Sequence, residues 1–227
     1  MKNQEIRTFG RVRGKKLSAR QESLVRDLLP TLLPGRDNTK TILEIGFGAG
    51  EHLLHLARAY PNHTIIGAEP FMNGVAALLS QLANSQKPIA NSQSELVKPE
   101  YRNIRIWPDD VRKLLSTNDY RLSTDVNFEK IYVLHPDPWP KARHEKRRLL
   151  QTDFLRELAA RLAPDGQIIF GTDHLDLFDW VVAQARISGL KFLISETPPE
   201  DGMTTRYKEK DKFGAGRTRY LVISHAL

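Results

Sequence analysis

The sequence predicts an α/β fold in which a mostly parallel, seven-stranded sheet carries helices on both faces. Short β-branched runs alternate with segments of helical periodicity along the chain, and Gly or Pro marks the end of several of them. Hydrophobic residues make up 40% of the 227 residues, which suits one well-buried core. We therefore expect a single domain over 1–227, with a basic arm at 1–17 and a mobile surface loop at 83–102.

The predicted elements follow one another in a regular order. The first helix covers 18–30, with Ser18 as its N-cap and Pro30 as its terminator. A later helix covers 146–167 and is closed by Pro164 and Gly166. The other helices are predicted at 51–61, 70–84, 109–116 and 174–188, and the strands at 41–45, 63–69, 103–107, 167–173, 191–195 and 219–224, with a further strand that starts at 129 and runs into a proline-rich loop.

The composition excludes several kinds of protein. The chain has no cysteine, which rules out disulfides, cysteine nucleophiles, thiolate zinc sites and cysteine-ligated iron-sulfur clusters. No apolar run approaches the roughly 20 residues that cross a bilayer, and the first ten residues lack the apolar stretch of a secretory signal. We therefore expect a soluble protein that stays in the cytoplasm.

The positive charge of the chain is concentrated in three segments. The formal net charge is +7, whereas residues 1–20 carry +6, residues 140–148 carry +4 and residues 204–219 carry +4. The rest of the chain therefore carries −7. One basic run alone is typical of a solvated face, but three runs brought to one side would neutralise several phosphates. The distribution favours a polyanionic partner.

A glycine-rich turn, with Gly46, Gly48 and Gly50 at alternate positions, follows the first predicted strand. Such glycines let the backbone turn sharply and let a ligand approach without interference from Cβ atoms. Glu44 lies just before them inside an apolar strand, and Glu69 ends the next strand. The spacing differs from the G-x-G-x-x-G of dinucleotide sites, and negative charge here disfavours a pyrophosphate. The pattern favours S-adenosylmethionine, a nucleoside that has no phosphate and carries positive charge.

Two acids, Asp109 and Asp110, follow the third predicted strand. Both are candidates to bind the adenine edge of a nucleoside, and both are also typical N-caps of the helix that follows. For Asp110 capping and binding are equally supported, whereas the position of Asp109 favours binding.

A stiff loop, His-Pro-Asp-Pro-Trp-Pro-Lys, follows the fourth predicted strand. The loop presents Asp137, Trp139 and Lys141 at the carboxyl end of that strand. A rigid turn explains the three prolines. It does not explain why an acid and an aromatic residue alternate with them directly before a basic run. His135 and Asp137 are of types that bind metals, but no second cluster of such residues supports a metal site, so a packed histidine is favoured and no metal is expected.

The chain resembles the bacterial tRNA (guanine-N7)-methyltransferases in motifs spread over nearly its whole length: RTFGRVRG, LEIGFGAGEHL, GAE, HPDPWPKARHEKRR, FGTDH and TRY…GR. The resemblance implies a Rossmann-like class I methyltransferase fold and transfer of a methyl group from S-adenosylmethionine to N7 of a guanine in the variable region of tRNA. It also implies a catalytic role for Asp137 beside the methyl group. The cofactor-binding residues that it implies are Glu44, Gly46, Gly48, Gly50, Glu69, Asp109 and Asp137.

The resemblance further implies which residues contact the substrate. Where the family has Glu after the TRY segment, this chain has Lys208, with Glu209 one place later. Two alternatives remain for the carboxylate contact to guanine: Glu209 replaces the family glutamate, or Asp173 alone provides the contact. The expected substrate-binding residues are Lys141, Asp173, Thr205, Arg206, Tyr207 and Lys208.

The chemistry of the acceptor atom fits this set of residues. Guanine N7 carries an in-plane lone pair and reacts without losing a proton, so no strong general base is needed. Positive charge moves onto the purine during transfer, and Asp137, with Asp173, is expected to stabilise it. The basic arm and the segment 141–148, including Arg147 and Arg148, are expected to bind tRNA phosphates.

Two other functions remain open from the sequence: a nucleic-acid methyltransferase that acts on an exocyclic nitrogen, and a catalytically inactive RNA-binding protein of the same fold. The glycine spacing disfavours a third, a nicotinamide oxidoreductase. We expect tRNA as the partner, with no DNA or membrane, and a monomer or weak homodimer.

Overall fold

A computed structural model describes residues 6–10, 14–35, 40–83, 96–116, 126–198 and 218–225. Seven strands form a sheet in the order β3-β2-β1-β4-β5-β7-β6. The strands are β1 Thr41–Ile45, β2 Thr64–Ala68, β3 Ile104–Trp107, β4 Phe128–Leu134, β5 Leu162–Thr172, β6 Lys191–Ser195 and β7 Arg219–Ser224. The helices are α1 Ala19–Asp27, α2 Glu51–Ala59, α3 Met72–Leu82, α4 Val111–Ser116, α5 Thr152–Ala159 and α6 Leu175–Ser188.

The sheet is mostly parallel, which confirms the fold predicted from the sequence. The pairs β1–β4, β2–β3 and β4–β5 are parallel. Only the last strand along the chain departs from this pattern, because β7 lies between β5 and β6 and pairs antiparallel with both. None of the helices within the described ranges is long and apolar enough to cross a membrane.

The chain forms two compact units. The first unit comprises Met1–Thr39 and Gly46–Asp125, and the second comprises Lys40–Ile45 and Val126–Leu227. In the first unit, β2 pairs with β3 in register from Ile65–Ile104 to Ala68–Trp107. Helix α2 contacts β2, and α1 contacts α3. The buried core of this unit includes Leu53, Leu56, Ile65, Val75, Leu78, Leu79, Ile104 and Ile106.

The start of α1 agrees with the sequence, and its end does not. Ser18 caps the helix, since its hydroxyl accepts the Gln21 amide and the Gln21 side chain accepts the Ser18 amide. The helix ends at Asp27, and a 3-10 turn over Leu29–Leu32 follows. Pro30 sits in the first turn of that 3-10 segment, where its missing amide hydrogen leaves no donor unsatisfied.

The predicted surface loop at 83–102 is ordered at its carboxyl end. Ala83 forms an antiparallel bridge with Val97, which is buried, and Pro99–Tyr101 forms a 3-10 turn. The Arg58 guanidinium donates to the Tyr101 hydroxyl at 3.0 Å and lies over its ring. Val97 and Tyr101 thus supply buried apolar surface within the segment that was predicted to be a mobile surface loop; residues 84–95 lie outside the described ranges.

In the second unit, β4 is the partner of both β1 and β5. Its core includes Ile42, Leu43, Phe128, Ile131, Tyr132, Phe170 and Phe178, all at most 2% exposed. Helix α6 contacts β5, β6 and β7 and ends at Gly189, whose φ of 77° lies in the left-handed region that favours glycine at a helix C-cap.

The single helix predicted over 146–167 is not present. Ala142–Arg147 forms a 3-10 turn, α5 covers only Thr152–Ala159, and β5 already begins at Leu162. The pairing explains the early strand. Leu162 faces Phe128 and Gln167 faces Lys130, so the four residues 163–166 of β5 lie opposite the single residue Glu129 of β4. A Cβ at Gly166 would lie 2.6 Å from the Phe128 carbonyl oxygen. Gly166 therefore serves the close approach inside this bulge rather than a helix end.

Candidate active site

The glycine-rich turn between β1 and α2 has the conformation that its glycines predict. Gly46, Gly48 and Gly50 have φ of 77°, 59° and 89°, values that are costly for residues with a Cβ. An added Cβ would meet no atom within 4 Å at Gly46 or Gly48, but it would lie 2.6 Å from Leu78 Cδ1 at Gly50. The first two glycines therefore leave exposed backbone for a ligand, whereas the third allows close packing on α3.

Glu69 lies directly after β2 and holds the tip of this turn. Its Oε2 accepts the Gly48 amide at 2.8 Å, and its Oε1 accepts the Phe71 amide at 2.8 Å. Only 8% of this residue is exposed. A carboxylate offers about four lone-pair positions, so an acid in this place can order the turn and also accept the hydroxyl groups of a ribose.

Asp110 is a helix cap and an ion-pair partner of Arg112. Its carboxylate accepts the Arg112 amide at 3.0 Å and the guanidinium at 2.7 and 2.9 Å. Burial alone would raise the pKa of this carboxyl, but the hydrogen bonds from Arg112 outweigh burial and lower the pKa below its ordinary value. Of the two interpretations of Asp110, the structure supports capping. Asp109 binds Lys113 at 2.8 Å, and 41% of its side chain is exposed.

Two further contacts attach the basic arm to the starts of helices in the first unit. Arg112 donates from Nη2 to the Arg7 carbonyl oxygen at 3.0 Å. Asn73, in the first turn of α3, donates from Nδ2 to the Lys15 carbonyl oxygen at 2.8 Å. Sequence reasoning missed both anchors, because no pattern in the sequence distinguishes Arg112 or Asn73 from ordinary helix residues.

Glu44 lies in β1, in the second unit, where its parallel register partner is Tyr132. The residue is only 4% exposed. An ionised carboxylate at such a position is costly unless donors or positive charge compensate it, which is the property that singled it out in the sequence.

The proline-rich loop after β4 combines stiffness with backbone strain. His135 and Trp139 have φ of 48° and 43°, in the left-handed region that residues with a Cβ avoid. The His135 amide donates to the Gly171 carbonyl oxygen at 2.7 Å, which fixes the start of the loop on β5. Asp137 is exposed, and it has no hydrogen bond or ion pair with any residue in the described part of the chain.

His135 and Asp173 meet at the carboxyl ends of β4 and β5. His135 Nδ1 lies 3.5 Å from Asp173 Oδ1, with side-chain exposures of 7% and 42%. Burial lowers the pKa of His135 below its ordinary value of 6.5, although the negative charge of Asp173 opposes this effect. His135 is therefore a packed, neutral residue at pH 7. No group of three or more His, Asp or Glu residues capable of holding a metal ion occurs in the described ranges.

The basic segment after this loop forms a 3-10 turn over Ala142–Arg147 and is not the first turn of the α-helix that begins at Thr152. Lys141, Arg143 and Lys146 are exposed on the 3-10 turn or directly before it. Arg147 lies over the Trp139 ring, 4.9 Å from its centroid. Arg148 is buried, with 5% exposed, which does not favour the phosphate contact expected for it. The expected substrate residues Thr205, Arg206, Tyr207 and Lys208 lie outside the described residues, as does Glu209.

Comparisons with known proteins agree with this architecture. A family model described as a putative methyltransferase matches residues 38–218. The chain is 34% identical over 225 residues to a tRNA (guanine-N(7)-)-methyltransferase of Hyphomonas neptunium, with 90% of this chain and 93% of that protein covered. A protein of the same name from Sphingopyxis alaskensis is 40% identical over 179 residues, covering 74% and 70%.

Solved structures share the fold at low sequence identity. A structure titled as the 16S rRNA methyltransferase KamB has a TM-score of 0.55 at 15% identity and covers 95% of this chain and 97% of its own. A SAM-dependent O-methyltransferase of Thermotoga maritima has a TM-score of 0.51 at 13% identity, covering 95% and 68%.

The chain thus has the Rossmann-like fold of these structures, and the family match makes it an S-adenosylmethionine-dependent methyltransferase. Among these enzymes, the chain belongs to the tRNA (guanine-N(7)-)-methyltransferase family. Its residues fit the cofactor: the open backbone at Gly46 and Gly48 leaves room for a ligand, and the acid Glu69 suits a phosphate-free nucleoside with positive charge.

Proposed function

We propose that this protein transfers a methyl group from S-adenosylmethionine to N7 of a guanine in the variable region of tRNA. The observation that carries the proposal is Asp137, an exposed acid on a stiff, strained loop, without an internal partner among the described residues. Side chains without a partner on loops held by a rigid scaffold are suited to contact a ligand. The reaction is inferred from the names of the relatives, and Asp137 is the residue of this loop that we propose to assist it.

The residues of the first unit bind the cofactor in this proposal. When bound, S-adenosylmethionine supplies an activated methyl group on a cationic sulfur. The turn at Gly46 and Gly48 offers its backbone, Glu69 accepts ribose hydroxyls while it holds the Gly48 amide, and Asp109 contacts the adenine. Glu44, two residues before Gly46 along the chain, is a further candidate to bind the cofactor.

The residues of the second unit act on the guanine. N7 needs no deprotonation, so the loop does not have to supply a general base. The carboxylate of Asp137 accepts N–H groups of the purine and stabilises the positive charge that the purine gains, and Asp173 assists it. The neutral state of His135 keeps a competing positive charge away from these acids. Positioning of the two reactants supplies much of the remaining acceleration.

The exposed basic residues bind the RNA backbone. Lys141, Arg143 and Lys146 directly follow the loop that carries Asp137, so phosphate contacts here would bring the RNA to the reacting group. The arm adds a second basic segment, which is anchored on the first unit through the carbonyl oxygens of Arg7 and Lys15. Binding through phosphates is sequence-independent and depends strongly on salt.

The direct test is methyl transfer from labelled S-adenosylmethionine to unmodified tRNA, followed by nucleoside analysis. We expect 7-methylguanosine, and we expect no label when the target guanosine is replaced by 7-deazaguanosine, which has carbon in place of N7. A methyl group on an exocyclic nitrogen would contradict the proposal, as would tight tRNA binding with no transfer.

A further inference from the structure

Arg148 differs from every other basic residue of the segment 141–148 in its surroundings. Only 5% of it is exposed. Its Nε donates to the Pro138 carbonyl oxygen at 3.1 Å, and its Nη2 donates to the Trp139 carbonyl oxygen at 3.4 Å. The guanidinium also lies over the ring of Trp180 in α6, 5.0 Å from the centroid. A group enclosed in this way is turned toward the protein and not toward an RNA.

The two carbonyl groups that Arg148 binds are those on either side of the strained residue Trp139. Rotation about φ of Trp139 moves the peptide plane that holds the Pro138 oxygen, and rotation about ψ moves the plane that holds the Trp139 oxygen. One rigid, planar guanidinium that binds both oxygens therefore fixes both dihedral angles. A residue with φ of 43° is strained and persists only where the surroundings hold it.

The geometry of this contact is specific to arginine. A guanidinium presents its N–H groups in a fixed fork and stacks on an aromatic face, whereas a lysine ammonium is a point charge on a flexible stem. The backbone of Arg148 is itself held, because Gln151 Nε2 donates to the Arg148 carbonyl oxygen at 3.0 Å and to the Glu145 carbonyl oxygen at 2.8 Å. The carboxylate of Glu145 lies 3.8 Å from the guanidinium.

We propose that Arg148 is a positioning residue, which locks the backbone around Trp139 and thereby holds Asp137, two residues earlier, in place for methyl transfer. The proposal rests on the function proposed above. It separates Arg148 from its basic neighbours: they bind the RNA, whereas Arg148 shapes the loop that acts on the base.

The test compares Arg148→Lys and Arg148→Met with Arg156→Lys. Arg156 is a matched control, because its guanidinium also donates to two successive carbonyl oxygens, those of Ile187 and Ser188, away from the loop. At saturating tRNA and cofactor, we expect both Arg148 variants to lower the single-turnover rate about 10- to 100-fold, the scale of a reacting group misplaced by about 1 Å. We expect the rate of Arg156→Lys to stay at that of the wild type.

Two further measurements exclude a role in RNA binding. Arg148→Met removes a positive charge, yet we expect the cofactor dissociation constant and the salt dependence of tRNA affinity to remain unchanged. A phosphate contact would instead reduce the slope of log affinity against log salt by about 1. An unchanged single-turnover rate would overturn the proposal, and so would a reduced slope.

A measurement that does not depend on enzymatic activity separates this test from the test of the proposed function. In protein labelled with 5-fluorotryptophan, Arg148→Lys should shift the ¹⁹F resonances of Trp139 and Trp180 and leave that of Trp107, in the first unit, unmoved. Unmoved resonances of Trp139 and Trp180 would overturn the proposed clamp even in an active enzyme. If the wild type transfers no methyl group to tRNA, the proposed function fails, and the spectra still decide whether Arg148 holds the loop.

Discussion

The glycine-rich turn of the first unit and the proline-rich loop of the second unit adopt left-handed backbone conformations by opposite means. The turn uses Gly46, Gly48 and Gly50, for which positive φ is not costly. The loop places His135 and Trp139 at positive φ and holds them with prolines and with Arg148. Glycine suffices where a ligand must approach the backbone itself. Where the site needs an acid and an aromatic side chain, the backbone is strained, and the surrounding residues hold it in that conformation.

This contrast predicts that substitutions in the two regions change different measured quantities. Changes in the turn should alter cofactor affinity and leave RNA binding intact. Changes in the loop and its basic flank should alter methyl transfer or RNA affinity and leave most of the cofactor affinity intact. Four sets of variants test this separation.

The largest effect is expected for Asp137→Ala. Removing the carboxylate removes the group that stabilises charge on the purine, so the single-turnover rate should fall about 100- to 1,000-fold. Cofactor binding, measured by calorimetry, should survive in part. Asp153→Asn, at another exposed acid of the second unit, should leave the rate near that of the wild type. A normal rate in Asp137→Ala would remove Asp137 from catalysis.

Glu69→Gln should weaken cofactor binding about 10- to 100-fold, because hydrogen bonds to a charged group contribute about 1.5–3 kcal/mol. The substitution keeps the size of the side chain but replaces one acceptor oxygen that holds the Gly48 or Phe71 amide. Calorimetric titration with S-adenosylmethionine measures the effect. Glu100→Gln, at an exposed acid of the same unit, is the control. Equal affinities in the two variants would refute the role of Glu69.

The double variant Arg143→Gln with Lys146→Gln should weaken tRNA binding most at low salt. Both side chains are exposed, and each lost phosphate contact lowers the slope of log affinity against log salt by about 1. Affinity measured across a salt series at equilibrium gives the slope. An unchanged slope would show that this flank does not touch RNA phosphates.

The smallest effect is expected for Gly48→Ala, compared with Gly189→Ala. Both glycines have positive φ and open space where a Cβ would stand, so both variants should lose about 1–2 kcal/mol of stability in urea unfolding. Only Gly48 is proposed to face a ligand, so only its variant should weaken cofactor affinity, about fivefold. Loss of affinity in both variants would mean that strain alone, and not contact, explains the effect.

Local patterns predicted much of the fold and of the cofactor side of the site. Strand and helix alternation gave the seven-stranded sheet, and the alternate glycines gave the turn with three positive φ values. Ser18 was recognised as a cap because capping depends on residues three apart. These features depend on short-range sequence, and short-range sequence predicts them.

Features that depend on contacts between distant residues were not predictable. The helix expected over 146–167 is interrupted because Arg161 and Leu162 pair with the start of β4, and no local pattern shows this pairing. Arg148 reads as one more cation of a basic run, although the carbonyl oxygens of the loop and the Trp180 ring enclose it. Burial of a charged residue is a property of the fold, and composition does not reveal it.

The anchoring of the basic arm separates attachment from charge. Arg112 and Asn73 bind the arm through the carbonyl oxygens of Arg7 and Lys15 and not through their side chains. Every residue type has a carbonyl oxygen, so the identity of positions 7 and 15 can change without loss of these hydrogen bonds. The arm is therefore a segment in which evolution, or an engineer, can redistribute positive charge to suit a different RNA while its path over the first unit stays the same.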